Sequence, residues 1–548
     1  MRTMRLSTGI LALLLLPTTS PAAEDSKPQQ SSPKITSRSE LVLVPTLVRD
    51  KSGAHVAGLS KGDFALLENG AEREISVFEE IRTSGARPSR PSLPAGEFGN
   101  YLGNQPVPGR VTIILMDAIN TKFSDRAYAR EQILKFLQET ASSKEPIALL
   151  LLHRGGVRVI HDFTTDPAVL AEAVRRFQLG PGTPVAQTEE EDPILSDETD
   201  QLSKAMQEME GNILASERML AAQLTLDGLE QICRAYAAIP GRKSVIWASG
   251  GFPFSVDDLS RGLAGSRFVT EIVRLYERTW HALNDADIAV YPVDVRGQVV
   301  LFPGGSRRMS GSPVNIQRSE QRAALKNQDT LDTFTEFADM TGGRAYFNTN
   351  DLAHAFHDAV DDSGSYYLLG FYLRPDDRKP GWRKLQVKVK PPHAQVRARS
   401  GFYVVPEDKD SNKTKLDEMA LAMNSPLDFT SLPILGRWTD TTPKGEKKRA
   451  TFELVLPANA VMVDESDQNH MSLDFAAAAR EPTGKVVGNN GRSVEAHLKP
   501  ESLAQIRSSG ITYKGDLDLA PGKYIVRFVV RDNLSGRVGS VAAPLTVP

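Results

Sequence analysis

The chain is poor in the residues that usually announce chemistry. It holds a single cysteine, Cys233, in 548 residues. No disulfide can close within it and no cysteine-based zinc site can be built. Cys233 lies in a helical pattern, Leu224–Ala238, which reads as a buried core thiol and not a nucleophile. The 9 histidines form no cluster with metal-ligand spacing. His354 and His357 share a helix at i, i+3, but no third ligand accompanies them. Neither sign of charge dominates, since 65 Lys and Arg against 68 Asp and Glu leave a net charge of −3. That balance gives no electrostatic reason to expect nucleic acid or an anionic membrane as partner. Beyond the first residues no apolar run approaches the ~20 residues that cross a bilayer.

Enzyme signatures are missing too. There is no Gly-x-x-x-x-Gly-Lys-[Ser/Thr] loop, no Gly-x-Gly-x-x-Gly after a strand and no His-Glu-x-x-His. Ser249 lies in Trp-Ala-Ser-Gly-Gly, without the leading glycine of a nucleophile elbow. A phosphatase-like Asp-x-Asp would need a carboxylate at 119, where Ile119 stands.

What the chain does have begins at its start. Arg2 and Arg5 precede a short apolar core, Leu6–Leu16, and small residues follow to Ala23. This is the layout of a secretory signal peptide over residues 1–22, cleaved after Ala22, with no cysteine there to carry a lipid. An exported chain without disulfides must be held by its cores, which fits bacterial export.

The organising stretch is Val111–Thr121, VTIILMDAINT. A continuous apolar run ending on Asp117 predicts a strand buried on both faces, as in a parallel sheet covered by helices. Asp117 then lies at the carboxyl edge, where open α/β sheets bind ligands. Ser124 is the expected N-cap of the following helix. Ile147–Leu152, Ser244–Ser249 and Ile288–Asp294 are further buried strands, and Val157–Ile160 returns antiparallel to the first of them. Alternating strands and helices predict a doubly wound, Rossmann-like α/β domain over 109–364.

The rest reads as attachments. Residues 23–38 and 83–108 are Pro-containing linkers, and 39–82 is a small β unit with an Asn69-Gly70 hairpin. Residues 365–405 are a β extension, 406–426 a charged linker with helical character, and 427–548 an immunoglobulin-like β-sandwich. In that last region strands are expected at Thr451–Leu456, Ser472–Ala476, Gly515–Leu519, Tyr524–Asp532 and Val538–Val547. Gly180–Gly211 is acidic around Glu189, Glu190 and Glu191, whereas Gly297–Ser319 is basic, and the two insertions are expected to leave the same sheet edge.

The segments VTIILMDAINTKFSDRAYAR, RKSVIWASGG, TGGRAYFNTNDL, SYYLLGFYLRP and WRKLQVKVKPPHAQVRARSGFYV, in this order, resemble the bacterial exported proteins called VWFA-related. These contain a domain similar to the A-domain of von Willebrand factor. The resemblance implies protein binding through a divalent cation, Mg²⁺ or Ca²⁺, held by oxygens at the strand ends. It maps Asp117, Thr121 and Thr183 onto that metal motif, with Ile119 where a serine belongs and Ser249 where a later aspartate is expected. Asp294, at the same edge, could share a cation with Asp117 or pair with Arg296. Asp117 could instead cap the following turn or helix through its carboxylate. The function expected is non-enzymatic protein–protein binding by an exported chain with a degenerate metal site and no membrane span after signal cleavage. The competing class is a metal-dependent hydrolase using Asp117 and Asp294.

Overall fold

The computed structural model describes residues 40–82, 93–94, 96–100, 111–140, 145–176, 201–252, 267–297, 328, 330–349, 351–362, 364–373, 379, 381–404 and 412–548. The signal segment, Thr183 and most of the acidic and basic insertions lie outside these residues. The molecule is mixed α/β, with one mainly parallel sheet and several antiparallel ones.

Four strands come first: β1 (Glu40–Arg49), β2 (Phe64–Glu68), β3 (Ala71–Arg73) and β4 (Val77–Arg82), followed by the short β5 (Glu97–Gly99). The central region runs β6 (Val111–Asp117), α1 (Phe123–Glu139), β7 (Ile147–His153), β8 (Gly156–Thr164), α2 (Pro167–Arg176), α3 (Gln201–Tyr236), β9 (Lys243–Ser249), α4 (Arg267–Asp285), β10 (Ile288–Asp294), α5 (330–341) and α6 (Leu352–Asp362). Then come β11 (Ser365–Leu373), β12 (Gly381–Val389), β13 (Gln395–Ala398), β14 (Gly401–Val404) and α7 (Asn412–Asn424). The chain ends with β15 (Leu435–Lys444), β16 (Lys447–Leu456), β17 (His470–Arg480), β18 (Val486–His497), α8 (Pro500–Ser509), β19 (Ile511–Leu519), β20 (Gly522–Asp532) and β21 (Val538–Val547).

The central sheet has the order β10-β9-β6-β7-β8. Its neighbours pair in parallel except β8, which returns antiparallel on β7. Tyr346 adds one parallel bridge to Val293. Side chains alternate between the faces along each strand. On β6, Val111, Ile113 and Leu115 share a core with α3, α4 and α5, while Ile114 and Met116 share another with α1, α2 and α6. Both faces are thus dry, and every residue of β6, β9 and β10 is buried.

The stretches 39–82 and 365–405, read from sequence as separate units, interleave. β1 lies between β11 and β13, and β2 lies between β12 and β3. The two resulting sheets share one core that includes Val44, Leu66, Leu369 and Phe402. Each sheet draws strands from both stretches, so the strand edges of one are paired by the other. Two of the three supposed linkers also contribute, and the third, 23–38, lies outside the described residues. β5, within 83–108, pairs with β15, and α7, within 406–426, packs on β20 and β21.

The C-terminal region holds two four-stranded antiparallel sheets, β19-β16-β15-β5 and β18-β17-β20-β21, around a common core. Strands β15 and β18 and helix α8 were not expected from the sequence. β18 (VVGNNGRSVEAH) and the second half of β15 are rich in Gly, Asn, Thr and Lys, the composition of turns and not of strands. They form because the neighbouring apolar strands offer a ladder.

A buried ion network ties the central and C-terminal regions together. Thr430 caps the end of α3: its N–H donates to Arg234 O (2.8 Å) and its hydroxyl to Ala235 O (2.9 Å). Glu418 on α7 accepts from Arg234 of α3 (2.8 Å) and from Arg531 of β20 (2.8 Å). Glu230, fully buried, pairs with Arg234 and with Arg278 of α4 (2.7 and 2.5 Å). Arg531 is 1% exposed, so Glu418→Ala would leave a buried cation short of its partner. That loss is expected to cost about 3–5 kcal/mol in a denaturant titration. Asp227, paired with Arg278, is pushed up to about 6 from 3.8, first by burial and then by Glu230's charge, against the pull of Arg278. A raised carboxyl contributes stability that is present below pH 3.8 and lost as pH rises through about 6. Wild type should therefore lose up to about 3 kcal/mol more than Asp227→Asn between pH 4 and pH 7 in paired unfolding curves.

Candidate functional site

β6 delivers Asp117 to the carboxyl edge of the central sheet, and the carboxylate folds back to organise its own loop. Oδ1 accepts the backbone N–H groups of Ile119 (2.9 Å) and Asn120 (3.0 Å), the local turn that aspartate side chains build. The loop arrives already turned, so α1 starts at Phe123 with Lys122 as N-cap. Ser124, expected as that cap, lies inside the helix and bonds Asp125 instead.

Oδ2 accepts three more donors. They are Asn120 Nδ2 (2.7 Å), Ser249 Oγ (2.8 Å) and the indole N–H of Trp247 (3.1 Å). The parallel register sets Leu115 beside Trp247 and Met116 beside Ala248, which brings Ser249 level with Asp117 on the same face. Trp247 is fully buried among Phe252, Phe334 and Phe337, so its N–H needs an internal acceptor and finds it in the carboxylate. Burial pushes the Asp117 carboxyl above its usual range, and the hydrogen bonds from Asn120, Ser249 and Trp247 oppose that shift.

The surrounding groups close the loop down. Asn120 Nδ2 also donates to Thr225 Oγ1 on α3 (2.9 Å). Thr121 Oγ1 accepts the N–H of Gly250 (2.9 Å), joining the loop to the end of β9. A Cβ on Gly250 would stand 3.1 Å from Asn120 O, so this close approach favours glycine. Arg126, one turn into α1 and 5% exposed, donates from Nε to Thr121 O (2.9 Å) and from Nη2 to Ala118 O (2.5 Å). The Ile119 side chain is buried in the core shared with Trp247. Phe123, next in the chain after Lys122, is 60% exposed.

Asp294 aligns with Ser249 at the end of the next strand. Its carboxylate is taken by Arg296, which donates from its backbone N–H (3.0 Å), Nε (2.9 Å) and Nη2 (2.7 Å). The sequence-derived residues Asp117, Thr121 and Asp294 thus share one edge, but each is committed to a different internal contact, and Thr183 lies outside the described residues. A hard divalent cation needs several free oxygens. Here both Asp117 oxygens face N–H and O–H donors, and Ile119 offers no side-chain oxygen. One neutral acceptor, Asn120 Oδ1, is buried without a protein partner. Among the described residues no three His, Cys, Asp or Glu side chains converge as metal ligands. Among the described residues the donor set does not fit a Mg²⁺ or Ca²⁺ ion at this edge.

Sequence reasoning missed Asn120, Arg126 and the indole of Trp247 as partners of this loop. Spacing carries no signal for them, because two are local residues with many ordinary roles and the third comes from another strand.

No family model matches the chain, and no curated protein matches it. Among solved structures, the TFIIH p34 N-terminal domain is similar at 12% identity, over 45% of this chain and 95% of that chain, with a TM-score of 0.19. A likeness at that level settles neither fold nor function.

The Trp247 contact has a separable energetic signature. Trp247→Phe keeps an aromatic ring in the cluster but removes the N–H and part of the buried ring, and should lower stability by about 1–3 kcal/mol. Trp247→Ala also opens a cavity and should cost about 3–5 kcal/mol. Equal denaturant midpoints for wild type and Trp247→Phe would show that the indole–carboxylate bond contributes nothing.

Proposed function

We propose that the chain is an exported, non-enzymatic binding protein that recognises a protein partner through the strand-end face of a doubly wound, von Willebrand factor A-type domain. The resemblance of its ordered segments to VWFA-related proteins motivates the reading, and an immunoglobulin-like sandwich at the C-terminus would act as a spacer or second contact. Support for the domain type comes from the strand order, the single antiparallel strand at one side and helices on both faces. No helix among the described residues is long and apolar enough to cross a membrane.

One observation carries the choice of binding over catalysis. The Asp117 and Asp294 carboxylates, which a hydrolase at this edge would use, are consumed by internal donors, while Phe123, at the start of the helix that follows the Asp117 loop, stands exposed. A general base must be within reach of the proton it takes, and these oxygens face their own protein. A cleft of about 670 Å³ does exist between β8 and α2, lined by residues such as Arg158, His161 and Glu172, and neither carboxylate lines it. An exposed aromatic at the rim of a rigid loop is the kind of residue that anchors protein interfaces.

The test is capture of a partner from a native envelope fraction by the immobilised full chain, followed by direct titration with that partner once purified. Phe123→Ser should weaken binding by about tenfold or more while leaving the unfolding midpoint in place. Undiminished affinity in Phe123→Ser, together with hydrolytic turnover abolished by Asp117→Asn, would replace this reading with the enzymatic one.

A further inference from the structure

We propose that Arg126 and Asn120 take the place of the divalent cation that organises this edge in A-type domains, Arg126 supplying the positive charge and Asn120 the contact to the carboxylate. The inference rests on the A-type reading of the central domain, and adds to it that the face is held in shape without metal.

Two tasks fall to a cation bound at an aspartate in a strand-end loop. It neutralises a carboxylate that burial has stripped of water, and it pulls the loop oxygens into one arrangement. Both tasks are already done by side chains. Asn120 Nδ2 lies 2.7 Å from Asp117 Oδ2 and 2.9 Å from Thr225 Oγ1, so the amide bridges the carboxylate to a hydroxyl oxygen on α3, much as a bound ion would bridge oxygens. The arrangement of the loop falls to Arg126. Its guanidinium gathers the carbonyls of Ala118 and Thr121, the first and fourth residues after Asp117, from one turn inside α1.

The charge argument runs the same way. A 95%-buried arginine is costly unless an opposite charge faces it, and carbonyls carry no net charge. Burial lowers the proton affinity of Arg126, and the charge of Asp117, whose neighbouring residue Ala118 accepts from the guanidinium, opposes that shift. Ile119 completes the substitution. Where a serine oxygen would ligate, its side chain pins the loop to the core around Trp247. Recognition at the Phe123 rim should accordingly be insensitive to chelators.

Thermal unfolding of the purified full chain tests this without any partner. Midpoints in chelator and in millimolar Mg²⁺, Ca²⁺ or Mn²⁺ should coincide. A midpoint raised by one of these ions in wild type, and no longer raised in Asp117→Asn, would overturn the proposal. A double-mutant cycle asks whether Arg126 answers the charge of Asp117 or merely holds two carbonyls. Arg126→Met should lower the folding equilibrium constant by about tenfold or more, and by about threefold less in an Asp117→Asn background. Strictly additive losses would sink the counterion role. Should Arg126→Met fail to fold, recovery of a folded protein in the double variant supports the proposal, and continued failure there counts against it. Because neither measurement involves binding, their outcome is separable from that of the partner titration.

Discussion

Taking a carboxylate out of water at the centre of a dry sheet edge is the constraint on which this edge depends. Asp117 is 3% exposed, and burial is the largest influence on its proton affinity. Such a group persists only if donors replace its hydration. Five do so, two from the loop backbone and three from the side chains of Asn120, Trp247 and Ser249. Each donor has a further consequence. The backbone pair ends β6 and starts α1, the indole bond fixes the ring around which Phe252, Phe334 and Phe337 pack, and the serine bond joins two strand ends.

The same logic of shared partners holds the larger architecture together. The chain has no disulfide to restrain it, and its cores interlock by exchange of strands and buried ions. β1 completes a sheet with strands more than 300 residues later, pairing Glu40 with Leu373. β5 crosses to the C-terminal sheet, and Asn100 beside it, wholly buried, donates to Phe429 O and Leu432 O while accepting from Ile434. Glu418 spans two arginines from different sheets' surroundings. Cys233 sits inside the core of α3 at 1% exposure, where burial pushes its thiol up and keeps it unreactive.

A carboxylate satisfied in this way is tied to its own protein from several sides. Both of its oxygens face internal donors, from the loop backbone, Asn120, Trp247 and Ser249. Phe123 opens the first turn of the helix that follows this loop, and it is 60% exposed.

By itself the sequence determined the central strands, because the short, largely apolar runs within Val111–Asp117, Lys243–Ser249 and Ile288–Asp294 are best buried as the inner strands of an alternating α/β chain. It also marked Asp117 and Asp294 as edge residues and Cys233 as a core thiol, since those statements follow from position within a periodic element. What it could not contain was the pairing of residues distant in the chain. β18 and the polar half of β15 read as turns until an apolar neighbour supplies their hydrogen bonds. The interleaving of 39–82 with 365–405 depends on strand edges that lie about 300 residues apart in the chain. At the site, spacing identified Asp117 but not its donors, because whether an aspartate holds a cation, a proton or an asparagine amide is decided by what the neighbouring strand and helix place within about 3 Å of it. The tertiary structure made that choice by setting Trp247, Ser249 and Thr225 around the loop.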